Sequence, residues 1–397
     1  GKIRGEVKLL PSLAIELPVR ALPELAQSGH ISRIWDDVEV TAAMDYVRPA
    51  TGSGAAQDSG YTGRGVVVAV LDTGIDPHDD FITPENRILA WNDLIHDKSF
   101  VYDDHGHGTF VAGIIAGNGT QDEKYRGMAP DARLVGVKIL DREGTGRMSD
   151  LISGLEWCLD NLSALNIRVV NLSVTAEIQG PKRYDPFLRS LTRLWDKGIT
   201  TCLAAAGQNR ESGRQNYYNG RPDFRRPMIV AGDVDEERTI TVGDSRLSEI
   251  GHKYLTPDLI APGSDVIAAK AGGGYDSFSG DSAAAAIVSG GVAQLIQRSP
   301  GLTPGRIKSI LKRNARDSGL GTRLQGAGQL DLLKALRVRD RGKKNGTSLI
   351  PFQNTGNQLL NGLINLLGSN FGGGHGGGNG VVLKTLFSFL GNYLKNR

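Results

Sequence analysis

Three short stretches carry side chains that could work together as a nucleophilic centre, and they fall along the chain in the order Asp, His, Ser. Residues 68–76 read VAVLDTGID and contain Asp72; residues 105–113 read HGHGTFVAG and contain His107; residues 279–290 read SGDSAAAAIVSG and contain Ser282. A serine hydroxyl attacks a carbonyl poorly until a neighbouring base takes its proton. Histidine is the side chain whose ordinary pKa suits that task near neutrality. A buried carboxylate beside the imidazole fixes its tautomer and stabilises the imidazolium that forms.

The elements around these residues must bring them to one place. Residues 66–71 (VVVAVL) form a continuous apolar run, as expected of a parallel strand covered on both faces, and Asp72 with the turn residue Gly74 closes it. Residues 134–139, 167–174 and 199–206 read as further strands. Ser149 is expected to cap a helix carrying Leu151, Ile152, Leu155 and Leu159, and 187–197 reads as another helix. His107 opens a small-residue helix. Ser282 starts an Ala-rich helix to Arg298, where free N–H groups favour a developing oxyanion. Thr303-Pro304 caps and starts a helix to about Arg316. Strands alternating with helices predict an α/β fold with helices on both faces of a mainly parallel sheet, whose carboxyl edge is where such sheets build sites.

Outside this body, residues 1–45 read as a small unit: a strand over 7–17, a helix over 18–29 ended by glycine, and a strand over 31–40. Residues 46–65, with Gly52, Gly54, Gly60, Gly63 and Gly65, read as a flexible linker. The body is expected over 66–338. The tail, 339–397, has two apolar segments at helical spacing around the glycine-rich stretch 372–380.

The 397 residues are 39% hydrophobic and 22% charged, which excludes global disorder. The net charge of +3 divides unevenly: residues 1–340 hold 40 basic and 43 acidic side chains, whereas 341–397 hold six basic ones and no acid. That balance excludes a dedicated nucleic-acid binder. Cys158 and Cys202 are too few for a disulfide scaffold and sit in apolar stretches, as buried thiols do. No apolar run is long enough to span a membrane. His105 stands near His107 without a Cys/His/Asp set at ligand spacing, so no transition-metal site is expected. The acids at 76–80 and 233–237 could take structural Ca2+, but solvated loops are the stronger reading.

The three motifs resemble the signatures of the subtilisin-like serine proteases, or subtilases, over about residues 60–338. RGMAP (126–130), VGVKIL (135–140), VVNLS (169–173), PDLIAP (257–262) and GAGQLD (326–331) extend the resemblance. It implies a three-layer α/β/α domain and an endopeptidase in which Asp72 orients, His107 is base then acid, and Ser282 is the nucleophile. It also implies that no cofactor is required. Ser173, Val174 and Thr175, with Ala205, Ala206 and Gly207, match the segments that take extended peptide by β-strand addition. Gln208 holds the place of the family's oxyanion asparagine and Asn209 follows, so either amide could serve.

Residues 1–40 resemble the back half of the family's inhibitory propeptide, which predicts a self-processing zymogen cut somewhere in 40–61. The partners implied are peptide substrates and the chain's own propeptide, with the tail a candidate for self-association or surface attachment. Secretion or display at the cell surface is favoured over the cytoplasm. One departure bears on activity: Asp281 replaces the family's threonine beside the nucleophile. Near the forming oxyanion it would oppose the reaction; turned away at the helix start it would not. A subtilase fold without catalysis, binding a partner, is the rival reading.

Overall fold

The computed structural model describes residues 2–7, 12–16, 44–174, 185–205, 227–234 and 257–337. The chain divides into two compact units, Gly1–Asp340 and Arg341–Arg397. The tail segments lie outside the described residues, as do the helix and second strand expected within 18–40.

The chain begins with an antiparallel hairpin of β1 (Lys2–Val7) and β2 (Ser12–Glu16), with Val7 opposite Ser12. Of the strand expected over 7–17, residues 12–16 form β2 and Val7 ends β1, while 8–11 lie outside the described residues; pairing of the two strands gives their N–H and C=O groups partners.

The centre of the molecule is a seven-stranded parallel sheet. Its strands are β3 (Val67–Asp72), β4 (Ile88–Asp93), β5 (Arg133–Lys138), β6 (Ile167–Leu172), β7 (Thr200–Ala204), β8 (Ile229–Val234) and β9 (Leu259–Pro262). They lie in the order β4-β5-β3-β6-β7-β8-β9, every pair parallel. A hairpin of β10 (Val266–Ala269) and β11 (Tyr275–Phe278) precedes the Ser282 helix.

Alternation along β3 divides the core in two. Val68 and Val70 pack with Phe110 and Ile114 of the helix His107–Ala116 and with the alanines of the helix Asp281–Arg298. Val67, Ala69 and Leu71 pack on the other face with Leu151 and Leu155 of Met148–Asp160 and Leu191 and Leu194 of Pro186–Asp196. Period-two alternation with apolar residues at every position needs a helical layer on each side, so the fold is three-layer α/β/α.

Two expectations are corrected. The helix assigned to a Ser149 cap starts two residues earlier: Arg147 is the N-cap, and its N–H donates to Asp150 Oδ2 at 3.2 Å. Asp150 lies one turn in, where a carboxylate reaches back to the first free donor.

The flexible linker over 46–65 is instead part of the body. Met44–Thr51 and Ser53–Asp58 are helices that bury Val47, Thr51, Ser53 and Ala56. Ser53 Oγ donates to Met128 O at 3.2 Å and Gln57 Nε2 to Gly127 O at 2.8 Å. Small residues, which read as flexible, here let the chain approach the core closely enough to make these bonds.

Candidate active site

Asp72 ends β3 fully buried, at the carboxyl edge of the sheet. Its Oδ1 accepts the N–H of Thr73 at 2.8 Å and lies 2.7 Å from His107 Nδ1. His107 is the first residue of its helix, and its side chain keeps 14% of its surface open. Two glycines allow this approach. A Cβ on Gly74, where φ is +134°, would stand 2.2 Å from Tyr102 O, and one on Gly108 would stand 2.1 Å from Gly74 O. The turn after β3 and the first turn of the helix therefore touch backbone to backbone.

Burial works against an imidazolium here. The charge of Asp72, its hydrogen bond and the charge of Asp103 outweigh that and hold the His107 pKa above its ordinary value. With Nδ1 held by a carboxylate, Nε2 is the ring nitrogen left to exchange a proton.

Ser282 opens the long helix on the same side of the sheet, half-buried. Its Oγ donates to Ser173 O at 3.3 Å, and Ser173 Oγ donates back to Ser282 O at 3.1 Å. Asn171 Nδ2 donates to Ser173 Oγ at 2.9 Å, and Ser289 Oγ donates to Asn171 Oδ1 at 2.8 Å. Asn171 and Ser289 are fully buried, so this chain ties the end of β6 to the serine helix through the core. The ring of Phe278, four residues before Ser282 in the chain, lies edge-on to the His107 ring at 5.4 Å between centroids.

Asp281 Oδ1 accepts the N–H of Asp233 at 2.9 Å, at the carboxyl end of β8. Of the peptide-binding candidates, Ser173, Val174 and Ala205 are described, and Ala205 N–H donates to Ala231 O at 2.8 Å. Thr175, Ala206, Gly207, Gln208 and Asn209 lie outside the described residues.

Of the acids considered for Ca2+, Asp76 and Asp80 have protein donors, and those at 235–237 lie outside the described residues. Asp76 Oδ2 accepts from Gly272 N at 2.9 Å. Asp80, 1% exposed, takes the Tyr275 hydroxyl at 3.0 and 3.2 Å and Thr120 N at 3.0 Å. Among the described residues no group of three or more His, Cys, Asp or Glu is placed to hold a metal ion. Both cysteines are free and buried, and burial pushes each thiol up to about 12.

Sequence reasoning passed over Asn171, Ser289, Phe278 and Asp103. Only Asp103 carried a local signal, an acid just ahead of a helix start. The other three owe their place to contacts between distant segments.

An α/β/α sheet bearing an Asp–His pair and a helix-opening serine on one edge, in the chain order Asp, His, Ser, defines the subtilisin-like class of serine hydrolases. The comparisons agree. The profile of the Subtilase family matches residues 63–329. Serine protease AprX of Bacillus subtilis (strain 168) is 32% identical over 340 residues, covering 78% of this chain and 75% of that protein. The alkaline protease of Alkalihalobacillus alcalophilus is 30% identical, covering 84% and 81%. The crystal structure of a cold-adapted subtilisin-like serine proteinase superposes with a TM-score of 0.54 at 26% identity, covering 68% of this chain and 89% of that one. The chain belongs to the subtilase family and is a subtilisin-like serine endopeptidase. Among the described residues, no helix is long and apolar enough to cross a membrane.

Proposed function

We propose that this endopeptidase works through a triad of Ser282, His107 and Asp72 and an acyl-enzyme intermediate. His107 Nε2 takes the Ser282 proton as Oγ adds to the scissile carbonyl, then returns it to the leaving amine as the C–N bond breaks. Water repeats the sequence to release the acid. Asp72 holds the ring by Nδ1 and stabilises the imidazolium. The observation that carries the reading is the 2.7 Å contact between His107 Nδ1 and a fully buried Asp72. The Ser282 N–H and an amide from Gln208 or Asn209 would bind the oxyanion. Peptide would add as a strand along Ser173, Val174 and Thr175 on one side and Ala205, Ala206 and Gly207 on the other. Asp281 accepts the Asp233 N–H at the carboxyl end of β8, a donor that offsets the charge it would set against the oxyanion, which favours catalysis over the rival binding role.

The same reading makes the chain a zymogen that removes its own N-terminal segment, as suits a secreted protease. A protease takes its substrate extended, and residues from Met44 to Asp58 are helical and packed, with the N–H groups of Ser59, Gly60 and Tyr61 bonded back to the helix before them. Processing therefore falls in 40–43, the upstream end of the window set by the sequence. A fluorophosphonate serine probe and intact mass measurement test both points. The native chain is expected to take the probe at Ser282 and to lose the segment before Met44, and Ser282→Ala to do neither. Absence of Ser282-dependent labelling in the processed chain leaves the rival, a non-catalytic binding protein.

A further inference from the structure

Asp103 lies in the loop between β4 and the His107 helix, four residues before the imidazole and half-buried. Its Oδ1 accepts Thr73 Oγ1 at 2.9 Å and the N–H groups of His105 and Gly106 at 3.1 and 2.8 Å. Its Oδ2 accepts both the N–H and the Oγ1 of Thr109, at 2.9 and 2.6 Å. These donors come from two sides. Thr73 directly follows Asp72, and His105, Gly106 and Thr109 flank His107.

Two further bonds close the connection. Thr73 Oγ1 accepts Gly108 N–H, and Thr109 Oγ1 accepts Asp76 N–H, each at 2.9 Å. The helix N-cap is Gly106, which has no side chain to satisfy the free donors of the first turn. Asp103 supplies that acceptor from outside the helix.

We propose that Asp103 is a positioning residue for the triad: it locks the turn after Asp72 to the first turn of the His107 helix and places a second anion behind the imidazolium formed during proton transfer. The proposal rests on the triad reading above. Five donors favour its charged form: the Thr109 hydroxyl and the backbone N–H groups outweigh burial and hold its pKa below the ordinary carboxylate value.

The other groups around His107 do not duplicate it. From β3 comes Asp72. Asp104, next along the chain, is drawn 2.5 Å from Lys138 Nζ of β5. His105 lies 6.3 Å away between ring centroids, and β11 presents the uncharged Phe278. On the serine helix Asp281 is engaged by Asp233 N–H.

The test is the pH profile of peptide hydrolysis, with kcat and KM separated, for the full chain carrying Asp103→Asn, with folding checked by circular dichroism. Loss of the anion and of one acceptor is expected to lower kcat about tenfold or more, the scale of a small misplacement of reacting groups. KM should change little, and the acid limb should move to lower pH. Thr109→Val, which keeps the charge, is expected to lower kcat less and leave the limb in place. A wild-type kcat or an unmoved acid limb in folded Asp103→Asn overturns the proposal.

If Asp103→Asn does not fold, the pair Thr73→Val and Thr109→Val decides. It releases the carboxylate from both sides while keeping its charge, so reduced kcat with an unmoved limb supports the proposal and wild-type kcat overturns it. Ser282→Ala separates the two readings. Hydrolysis that survives it sinks the triad; a dead Ser282→Ala beside a wild-type Asp103→Asn sinks only the role of Asp103.

Discussion

The two edges of the central sheet each bury a carboxylate, and the two are used differently. At the carboxyl edge Asp72 faces His107. At the opposite edge Asp258, just before β9 and 1% exposed, lies between two ammonium groups: Lys308 Nζ is 2.9 Å from its Oδ2 and Lys312 Nζ 2.9 Å from its Oδ1. Val230 N–H also donates to Asp258 at 3.0 Å, and Lys308 donates to Met228 O at 2.7 Å. These two ammonium groups neutralise Asp258 and bind the helix Pro304–Asn314 to the sheet. An imidazole gains and loses its proton near neutrality, so Asp72 sits beside a group whose charge changes during a reaction. Burial of an acid does not distinguish a clamp from a catalytic element; the chemistry of its partner does.

Substitutions at the two edges should therefore fail in different ways. Asp72→Asn is expected to keep the fold and lose about 10⁴-fold in kcat, because the amide favours the wrong imidazole tautomer; steady-state kinetics beside an unchanged circular dichroism spectrum checks this. Asp258→Ala should do the reverse, costing about 3–5 kcal/mol in denaturant unfolding because two buried ammoniums lose their counter-ion. The rate per folded molecule should stay at its wild-type value. An Asp258→Ala enzyme that folds normally but hydrolyses slowly would erase the contrast.

Ser289→Ala tests the core link between β6 and the serine helix. It removes the hydroxyl donor to Asn171 Oδ1 and is expected to destabilise by about 1–3 kcal/mol, read by denaturant midpoint.

The pH dependence sharpens the contrast further. His107 is raised by Asp72 and Asp103 against the effect of burial, so it keeps its proton to higher pH and the acid limb of kcat/KM should lie above that of an ordinary histidine. The stability that the raised pKa contributes has the opposite trend. It is fully present below the unfolded pKa of about 6.5 and fades as pH rises through the folded value. Activity gained over this window should accompany a small loss of His107-dependent stability, visible by comparing wild type with His107→Gln. The smallest effect belongs to Cys158 and Cys202, buried with thiols pushed up to about 12. Neither should be alkylated at pH 8 until the chain is unfolded, and activity should be unaffected.

The strands were legible because β3, β5 and β6 are apolar on both faces, a pattern that a linear reading detects. Asp72, His107 and Ser282 were legible because their glycine and alanine neighbours form motifs. Residues 44–58 misled because glycine, serine and alanine are ambiguous in isolation. Val47 and Ala56 become core only where Met128 and Gln294 come to meet that segment, through Thr51 and Ser53. Ser149 looked like a cap because its hydroxyl could be one, whereas the helix already begins at Met148, with the Arg147 N–H donating to the Asp150 carboxylate.

The sequence by itself determined the alternation of β3, β5, β6 and β7 with their helices, the family resemblance, and which three side chains to watch, because periodicity and motif spacing are properties of neighbours along the chain. Only the tertiary structure decided that Asp281 turns to Asp233, that Asn171 and Ser289 brace the serine helix, and that Asp103 joins the turn after Asp72 to the helix of His107. A hydrophobic face is set by local repetition. The direction of a carboxylate is set by whichever donors the fold brings within about 3 Å, and those donors come from segments far apart in the chain.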